Sequence, residues 1–295
     1  MAGAGRTKSR SDLQSAWGSS PHALPIKQNA IIMKKTNHIK AMMLLYAVVG
    51  AVSCSIKEDR SPCPCWLDID ISGCAPLTKE VTLTAWDSDR IFTHKVSVAD
   101  YPQAYETTVS KGMVSTSAYI GLSESSLQGR HIIIPEGSQA DRIRVHASLV
   151  DCTGEEAADS VVLYRQYANV YMSLVQEEAD HPDYSMEVRG EICGIDIFSL
   201  TPVRGAFRHT SQADNEGIWS FRLPRQTEDS KLTLVAFLEG KELEEFPLDE
   251  WIASSGYSWL DQDLKDIYIN VDYVAGTVSI VIQGWQEGES TDLIL

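Results

Sequence analysis

The chain has 295 residues, 43% of them apolar, which is enough for one large or two ordinary domains. Its formal net charge is −16, but the first 53 residues contain seven Lys and Arg against one Asp, which leaves 18 bases and 40 acids, or −22, for residues 54–295. A body this acidic repels phosphate backbones and anionic headgroups, so its charge weighs against binding of nucleic acid or of a lipid surface.

The segment 33–53 has the order of a secretory signal peptide. A short basic stretch begins at Met33, an uncharged apolar run follows over residues 41–52, and small residues come next. Basic, apolar, small is the pattern of a cleaved signal. The twelve residues of the run would extend about 18 Å as a helix, well short of the roughly 30 Å hydrocarbon core, so we do not expect a permanent span.

Residues 1–32 do not fit the pattern of a signal peptide at the N-terminus. They are rich in Ser, Gly and Ala, mixed in charge and without periodicity, and they place the apolar run far from the first residue. We interpret them as a mis-assigned or disordered N-terminal extension, with translation starting at Met33, and exclude them from the fold.

The signal ends in a sequence that resembles a lipobox, Ala51-Val52-Ser53-Cys54. At such a site the cysteine thiol is diacylated, the preceding peptide bond is cut and the new amine is acylated. We therefore predict cleavage between Ser53 and Cys54 and a covalent lipid on Cys54, with no other cofactor. An ordinary signal peptide followed by an unrelated cysteine is the alternative.

A lysine followed by two acids, Lys57, Glu58 and Asp59, stands just beyond Cys54. This segment resembles the export signal that sends lipoproteins of Bacteroides-type bacteria to the outer leaflet, although any acidic tether can contain three such residues. The expected location is the cell outer membrane, where residues 54–65 would form the tether of a lipid-anchored, surface-exposed protein.

The rest of the chain is dominated by runs in which apolar and polar residues alternate, the signal of half-buried β-strands. Glu239-Gly240-Lys241 and Ala275-Gly276 are typical of hairpin turns. One short helix is predicted over residues 247–254, where Leu248, Trp251 and Ile252 share a face. The strand-like runs are Trp66–Ser72, Val81–Trp86, Ile143–Leu149, Met186–Ile192, Ile218–Leu223, Leu232–Leu238, Ile267–Tyr273 and Val278–Ile282.

Many short strands and little helix favour packed β-sheets, because each amphipathic sheet buries its apolar face against a second sheet. The acidic, proline-containing stretch 177–183 is the best candidate for a domain boundary. We therefore predict an all-β chain with an N-terminal β-sandwich over residues 66–180 and a C-terminal β-sandwich over residues 181–295.

Five cysteines follow Cys54, and an exported protein meets an oxidising compartment in which disulfides form. Five thiols cannot all pair, so at least one stays free or bonds to another chain. We expect a pairing that ties the tether to the first sandwich, with the connectivity open among Cys63, Cys65, Cys74 and Cys152. The spacing of Cys63 and Cys65 does not predict a metal site, because no second Cys or His pair stands at zinc-site spacing.

Residues suited to catalysis are scattered. The sequence contains no H-E-x-x-H, G-x-S-x-G, S-x-x-K or Gly-rich phosphate loop. In the run Ile143–Leu149 the odd-numbered residues form the apolar face, so His146 is expected on the solvated face. Asp261, Asp263 and Asp266 crowd one loop, but Lys265 would repel a calcium ion, so we expect a solvated acidic loop. We predict no catalytic residues, no metal site and no small-molecule substrate.

Four tryptophans lie in the second half of the chain, and a carbohydrate site would use such rings. Trp219 and Trp251 fall on apolar faces and are assigned to the core. Trp259 and Trp285 are less constrained. The alternative function is therefore a surface lipoprotein that binds glycans through exposed tryptophans.

Short matches in a fixed order resemble the fimbrium anchoring subunits of Bacteroides- and Porphyromonas-type bacteria, lipoproteins at the base of surface fimbriae. Near the N-terminus the match is Cys54, then Glu58–Cys65, an aromatic residue and an alternating strand. Residues 75–180 match mainly as a strand pattern. The matching segments of the second half are Phe221–Gln226, Leu232–Leu234, Pro247–Ile252, Gly256–Trp259, Leu264–Ile267, Val271–Tyr273 and Val281–Trp285.

The resemblance implies two transthyretin-like β-sandwich domains in tandem and an anchoring role in place of catalysis. Its expected partners are the fimbrial shaft subunit and, through the lipid, the outer membrane. In such fimbriae a strand of one subunit adds to an exposed sheet of its neighbour. An open edge presents unpaired N–H and C=O groups that the added strand satisfies, while its alternate side chains enter pockets.

Overall fold

The structure is a computed structural model, and it describes residues 60, 63–87, 90–175, 184–272, 277–282 and 291–294. Within these residues the chain forms nineteen β-strands and one α-helix. Up to residue 175 the strands are β1 (Cys65–Asp70), β2 (Glu80–Trp86), β3 (Ile91–Ser97), β4 (Tyr105–Val109), β5 (Met113–Ile120), β6 (Ser126–Gln128), β7 (His131–Ile133), β8 (Arg144–Asp151), β9 (Glu156–Ser160), β10 (Tyr164–Arg165) and β11 (Tyr167–Val175). They continue with β12 (Tyr184–Asp196), β13 (Pro202–Gln212), β14 (Ile218–Pro224), β15 (Leu232–Leu238), β16 (Lys241–Phe246), β17 (Ile267–Asp272), β18 (Thr277–Ile282) and β19 (Thr291–Ile294), and the helix is α1 (Leu248–Ser254).

The predicted N-terminal extension, signal peptide, cleavage site and lipidated cysteine lie outside the described residues. So do Lys57, Glu58 and Asp59 of the expected export signal. These remain predictions.

Two sheets pack face to face around the first apolar core. β4, β1 and β9 form one sheet, and β10, β8, β5, β2 and β3 form the other, each in this order. In β1, Leu67 and Ile69 are buried whereas Trp66 and Asp68 are exposed, as its alternating sequence predicted. Leu83 of β2 meets the buried face of β1 from the second sheet.

Two further sheets enclose a second core. One has the order β14, β11, β17, β18, β19. In the other, β12 is central, with β13 on one side and both β15 (extended by β16) and β7 (extended by β6) on the other. Trp219 and Phe221 of β14 enter this core as predicted, together with Leu248, Trp251 and Ile252 of α1. The chain is thus all-β, with open sheets packed in layers.

Strands from the first half of the chain enter sheets of the second half. β11 lies antiparallel to β14 and parallel to β17, and β7 pairs with the end of β12. A third apolar cluster contains Ile132 of β7, Val145 of β8 and Ile195 of β12. Residues 60–295 form one compact unit. The boundary expected between residues 180 and 181 falls outside the described residues, so the division into two sandwich domains stays a prediction.

The predicted apolar face of β8 is wrong in the second half of the strand. Val145 is buried, but Leu149 is 63% exposed. Val150, which has the opposite parity, is buried in the first core. The even-numbered side chains of β8, among them His146, therefore face the sheet that contains β1.

Candidate assembly interface at the sheet edges

An added strand needs a sheet edge with free backbone groups. Among the described residues, the edge strands of six residues or more with described side chains are β3, β13, β14 and β16. They differ in how far each is closed by bulges, charges or neighbouring loops. The candidate interface is the edge strand that these features leave open.

The edge formed by β16 is protected against the addition of another strand. Five of its six residues are exposed and three of them are glutamates. The pairing with β15 shifts by one residue, so that Leu243 lies opposite no partner. Arg189 of β12 forms ion pairs with Glu242 (2.9 Å) and Glu245 (3.0 Å) across the face of the sheet. Bulges and charges on an edge strand are known devices against strand addition.

The β13 and β14 edges are partly closed by the loop that follows β7. The Ala140 N–H donates to the Arg222 carbonyl at 2.9 Å, and the Arg222 side chain donates back to the Ala140 carbonyl. His209 of β13 donates through Nδ1 to the carbonyl of Gly137 at 2.9 Å. The register between β12 and β13 also shifts twice. This side of the second core is therefore a poor acceptor for a strand.

The β3 edge is regular and uncovered within the described residues. Its seven residues pair with β2 without a register shift, from Ser97 opposite Glu80 to Ile91 opposite Trp86. No described segment pairs with its other side. Ile91 is 45% exposed. β3 is thus the edge best suited to accept a strand.

The opening between the two sheets beside β3 is closed by side chains. His94 of β3 is hydrogen-bonded through Nδ1 to the hydroxyl of Tyr105 on β4. The Tyr101 ring packs edge-on against Tyr105, with 5.1 Å between centroids. Burial raises the pKa of Tyr105. The geometry therefore favours addition of a strand beside β3 over insertion between the sheets.

The chain that precedes β1 is held at one end of the first pair of sheets. Arg60 Nη1 lies 2.8 Å from Glu155 in the turn between β8 and β9. Lys111 Nζ, in the turn between β4 and β5, donates to the Arg60 carbonyl at 3.0 Å. β3 begins at the same end, because Ile91 pairs with Trp86 beside these turns. No helix of the described residues is long and apolar enough to cross a membrane.

The predicted disulfide residues are all present as thiols. Cys63 is exposed, whereas Cys65, Cys74 and Cys152 are buried in the first core. Cys193 is half-buried in β12. Which of them pair on export stays a prediction.

The expectation that His146 is solvated is wrong. Its side chain is 13% exposed, and Nε2 lies 3.3 Å from both carboxylate oxygens of Asp159 on β9. Nδ1 accepts from the Val162 N–H at 3.3 Å, which places the proton on Nε2. Burial alone would raise the pKa of Asp159, but hydrogen bonds from His146 and Thr116 hold it below its usual value. The pair joins the two sheets of the first core.

The expected solvated acidic loop is partly a structural site. Asp266 is 9% exposed, ion-paired with Arg165, and accepts from Asn169 Nδ2 at 2.9 Å. Asp263 accepts from the Arg165 N–H at 2.7 Å. Asp261 and Asp263 are exposed as predicted, and Asp266 alone of the three is buried. Their oxygens fasten the loop to β10 and β11.

Trp259 does not have the exposure that a sugar-stacking surface needs. It is 8% exposed and packs edge-on against Tyr257, with 4.9 Å between centroids. It borders a cavity of about 830 Å³. The buried Arg225 at this cavity donates to Gln166 Oε1 (2.7 Å) and to the carbonyls of Trp259 and Gln262. Its guanidinium therefore holds the loop that contains Trp259 and Gln262 in place. Trp285, the other tryptophan considered for sugar binding, lies outside the described residues.

Sequence reasoning missed Trp66, which is the exposed tryptophan among the residues that the structure describes. Trp66 of β1 is 56% exposed and lies in register with Thr108 and Glu156 on the neighbouring strands. The sequence places Trp66 directly after Cys65, on the polar face of an alternating strand, and this position predicts an exposed ring. It is the ring best placed for a planar ligand.

Together these features define a layered all-β protein in which β3 is a regular edge strand, uncovered within the described residues. No family model and no curated protein matches the chain. A candidate adhesin from Bacteroides ovatus matches with a TM-score of 0.53 and 14% identity, over 78% of this chain and 96% of that one. A candidate polysaccharide-binding protein from Bacteroides thetaiotaomicron gives 0.52 and 16%, over 77% and 99%.

The fimbrial anchor protein Mfa2 from Porphyromonas gingivalis is also similar. It matches with a TM-score of 0.51 and 14% identity, over 76% of this chain and 98% of that chain. The chain thus shares its fold with solved proteins that include a fimbrial anchor and candidate adhesins. The resemblance found in the sequence is confirmed at the level of the fold.

Proposed function

We propose that this chain is a non-catalytic cell-surface lipoprotein that anchors a fimbria to the outer membrane. A lipid on Cys54 would hold the chain in the membrane, and a strand of the first shaft subunit would add to β3. The observation that carries the proposal is the regular, uncovered β3 edge. The fold shared with a fimbrial anchor protein supports it.

The tether supports this arrangement through its length. Five residues lie between Cys54 and Arg60, and the six residue steps of this segment reach about 20 Å at most. Arg60 is fastened to the turns at one end of the first pair of sheets. The lipid would therefore keep that end close to the membrane, with β3 running outward from it.

Lipid anchoring is tested on intact cells of the bacterium that carries this gene. Cells with the wild-type gene, a Cys54→Ala variant and a deletion are compared for fimbriae on the surface and fibres shed into the medium. We expect both mutants to shed fibres that wild-type cells retain. Unchanged fibre amount, length and attachment in both mutants would contradict the anchor function.

Strand addition is tested by proline substitution at Phe92, Thr93 and His94 of β3. Alternate residues of an antiparallel edge strand direct their N–H toward the partner and toward solvent. Proline at a position whose N–H bonds to β2 should destabilise the fold. Proline at a position whose N–H faces solvent should leave the chain folded but prevent strand addition, so that fibres are released. The matched alanine variants separate loss of the side chain from loss of the N–H.

A control variant in another edge completes this test. Leu243→Pro lies at the bulge of β16 and should leave fibre attachment unchanged. If every folded proline variant of β3 still retains fibres, the shaft does not add at this edge. If Leu243→Pro releases fibres instead, the interface lies at β16.

Glycan binding is a second candidate function, favoured by the exposure of Trp66. A sugar ring could stack on this indole while Thr108 and Glu156 bind its hydroxyls. The test is binding of the purified chain to an array of polysaccharides, with Trp66→Ala compared with Leu149→Ala. Binding that is lost only in the Trp66 variant would support it, and absence of binding by the wild type would exclude it.

A further inference from the structure

Two buried thiols meet at the point where the tether enters the fold. Cys65, the first residue of β1, and Cys152, which directly follows β8, are both 0% exposed and belong to the same apolar cluster. The Cys65 thiol donates to the Trp66 carbonyl at 3.5 Å and lies close enough to Cys152 to help raise the pKa of that thiol. They lie far apart in the sequence, so the tertiary structure alone brings them together.

The backbone on both sides holds this contact in place. Cys65 lies opposite Val109 at the end of β4. Cys152 exchanges both backbone hydrogen bonds with Gly112, at 2.8 and 3.4 Å, across the turn that follows β4. The Trp66 N–H donates to the Glu155 carbonyl at 2.8 Å. The two thiols therefore come from segments that lie side by side, as the partners of a disulfide must.

The other described cysteines lack such a partner. Cys63 is exposed and lies beside Arg60. Cys74 has the Asp70 carboxylate as its charged neighbour. Cys193 packs against Gly205 in a different sheet, where an added Cβ would lie 2.4 Å from its Sγ. Among the described residues, the close thiol pair is Cys65 with Cys152.

We propose that Cys65 and Cys152 form a disulfide bond in the exported protein. One thiolate attacks the disulfide of a thiol-oxidising protein, and one sulfur of that protein leaves as a thiolate. The second cysteine thiolate then attacks the mixed disulfide and releases the oxidant as a dithiol. The two cysteines lose two protons and two electrons, which the oxidant gains.

The bond must form before the core closes. Burial raises the pKa of the Cys152 thiol to about 12, an effect to which the neighbouring Cys65 adds. In the folded chain neither thiol is accessible, and the Cys152 thiol stays protonated at neutral pH, so exchange at this site is blocked. Once formed, the bond would be shielded from reductants in the same way.

The position of the bond has a mechanical consequence, which rests on the proposed anchoring function. A pull on the lipidated Cys54 first loads the non-covalent contacts of Arg60 and then reaches β1 at Cys65, eleven residues after Cys54. Without the bond, β1 carries that force through its pairing with β4 and β9. With it, the force passes directly to Cys152 at the end of β8, an inner strand of the five-stranded sheet. The disulfide would thus protect β1 from being peeled away.

The direct test maps the disulfide in the full mature chain, exported to an oxidising compartment and alkylated without reduction. Mass spectrometry of its peptides should find Cys65 linked to Cys152, with Cys74 and Cys193 alkylated once the chain is unfolded. Full alkylation of Cys65 and Cys152 would overturn the proposal. A link from Cys65 to Cys63 or Cys74 would do the same.

Thermal unfolding gives an independent readout. Reduction, carried out on the unfolded chain before refolding because the bond is shielded in the folded one, should lower the Tm of the wild type by on the order of 10 °C, since the bond closes a long loop. It should leave the Tm of Cys65→Ser/Cys152→Ser unchanged, and Cys193→Ser should behave as the wild type does. A wild-type Tm that does not respond to reduction contradicts the bond.

The two proposals fail separately. If the disulfide is mapped but Cys54→Ala cells keep their fibres, the anchoring function fails and the bond stands. If fibres depend on Cys54 but no Cys65–Cys152 link exists, the bond fails and the anchor stands.

Discussion

Ser123 donates both its backbone N–H, at 2.9 Å, and its hydroxyl to the carboxylate of Asp141. The N–H groups of Glu124 and Ser125 add two further donors, at 3.1 and 2.9 Å. Asp141 itself is 2% exposed. One carboxylate therefore organises the whole turn that follows β5, between the first and third apolar clusters.

We expect this carboxylate to make stability depend on acid. Burial alone would raise the pKa of Asp141, but the bonds from Ser123, Ser125 and Glu124 lower it to about 2. A folded pKa below the unfolded value of about 4 contributes stability above pH 4, which is lost as the pH falls toward 2. Asp141→Asn should lower the free energy of unfolding at pH 7 by about 2 kcal/mol and flatten this acid dependence. Urea unfolding between pH 2.5 and 7 measures both, with the exposed Asp68→Asn as control; equal acid dependence in wild type and Asp141→Asn would contradict the assignment.

Arg225 is expected to be among the most sensitive positions of the second core. Its buried guanidinium satisfies Gln166 Oε1 and the carbonyls of Trp259 and Gln262. Arg225→Ala leaves these buried acceptors without donors and should lower the free energy of unfolding by about 3 kcal/mol. Arg204→Ala removes an arginine with an exposed side chain and should change it by less than about 1 kcal/mol. Similar losses in the two variants, measured in urea, would show that Arg225 does not fasten the loop.

The bridge between His146 and Asp159 predicts a second stability effect. His146→Ala leaves the half-buried Asp159 carboxylate with Thr116 as its remaining side-chain donor. We expect a loss of about 1–3 kcal/mol in the free energy of unfolding. His131→Ala is the control, because that side chain is 44% exposed. If His146→Ala unfolds at the same urea concentration as the wild type, the histidine is not a structural link between the sheets.

The hairpin between β15 and β16 offers a stabilising change. Glu239 has φ of 50° and Gly240 has φ of 77°, so both turn residues adopt the left-handed conformation that a type I′ turn requires. Glutamate is unfavourable there, whereas asparagine and glycine are tolerated. Glu239→Asn should raise the free energy of unfolding by about 0.5–1 kcal/mol, and Gly240→Ala should lower it by about 1 kcal/mol. Thermal unfolding of both variants checks the turn type, and a destabilised Glu239→Asn would contradict it.

The sequence correctly predicted the strands in which buried and exposed residues alternate. β1 and β14 alternate cleanly because each has one face in a core and one in water. The edge strands β3 and β16 escaped prediction for the same reason. Most of their side chains are exposed on both faces, so no period-two pattern of apolar residues marks them.

The candidate site also combines features that consecutive residues reveal with features that depend on distant strands. The lipobox-like segment at Cys54 and the order of matching segments could be read directly, since both depend on consecutive residues. The open edge of β3 could not, because an edge is defined by the absence of a neighbouring strand. His146 was misjudged because β9, which has little hydrophobic pattern of its own, supplies Asp159 to the polar face of β8.

By itself, then, the sequence determined the all-β class, the buried faces of β1 and β14 and the helix before Gly256. Local periodicity and turn chemistry are sufficient for these features. The tertiary structure alone decided that β11 pairs with strands of the second half, that β3 is an uncovered edge, and that Cys65 meets Cys152. Strand order and long-range register arise from packing between distant segments, and alternation within a strand carries no information about which strand will lie beside it.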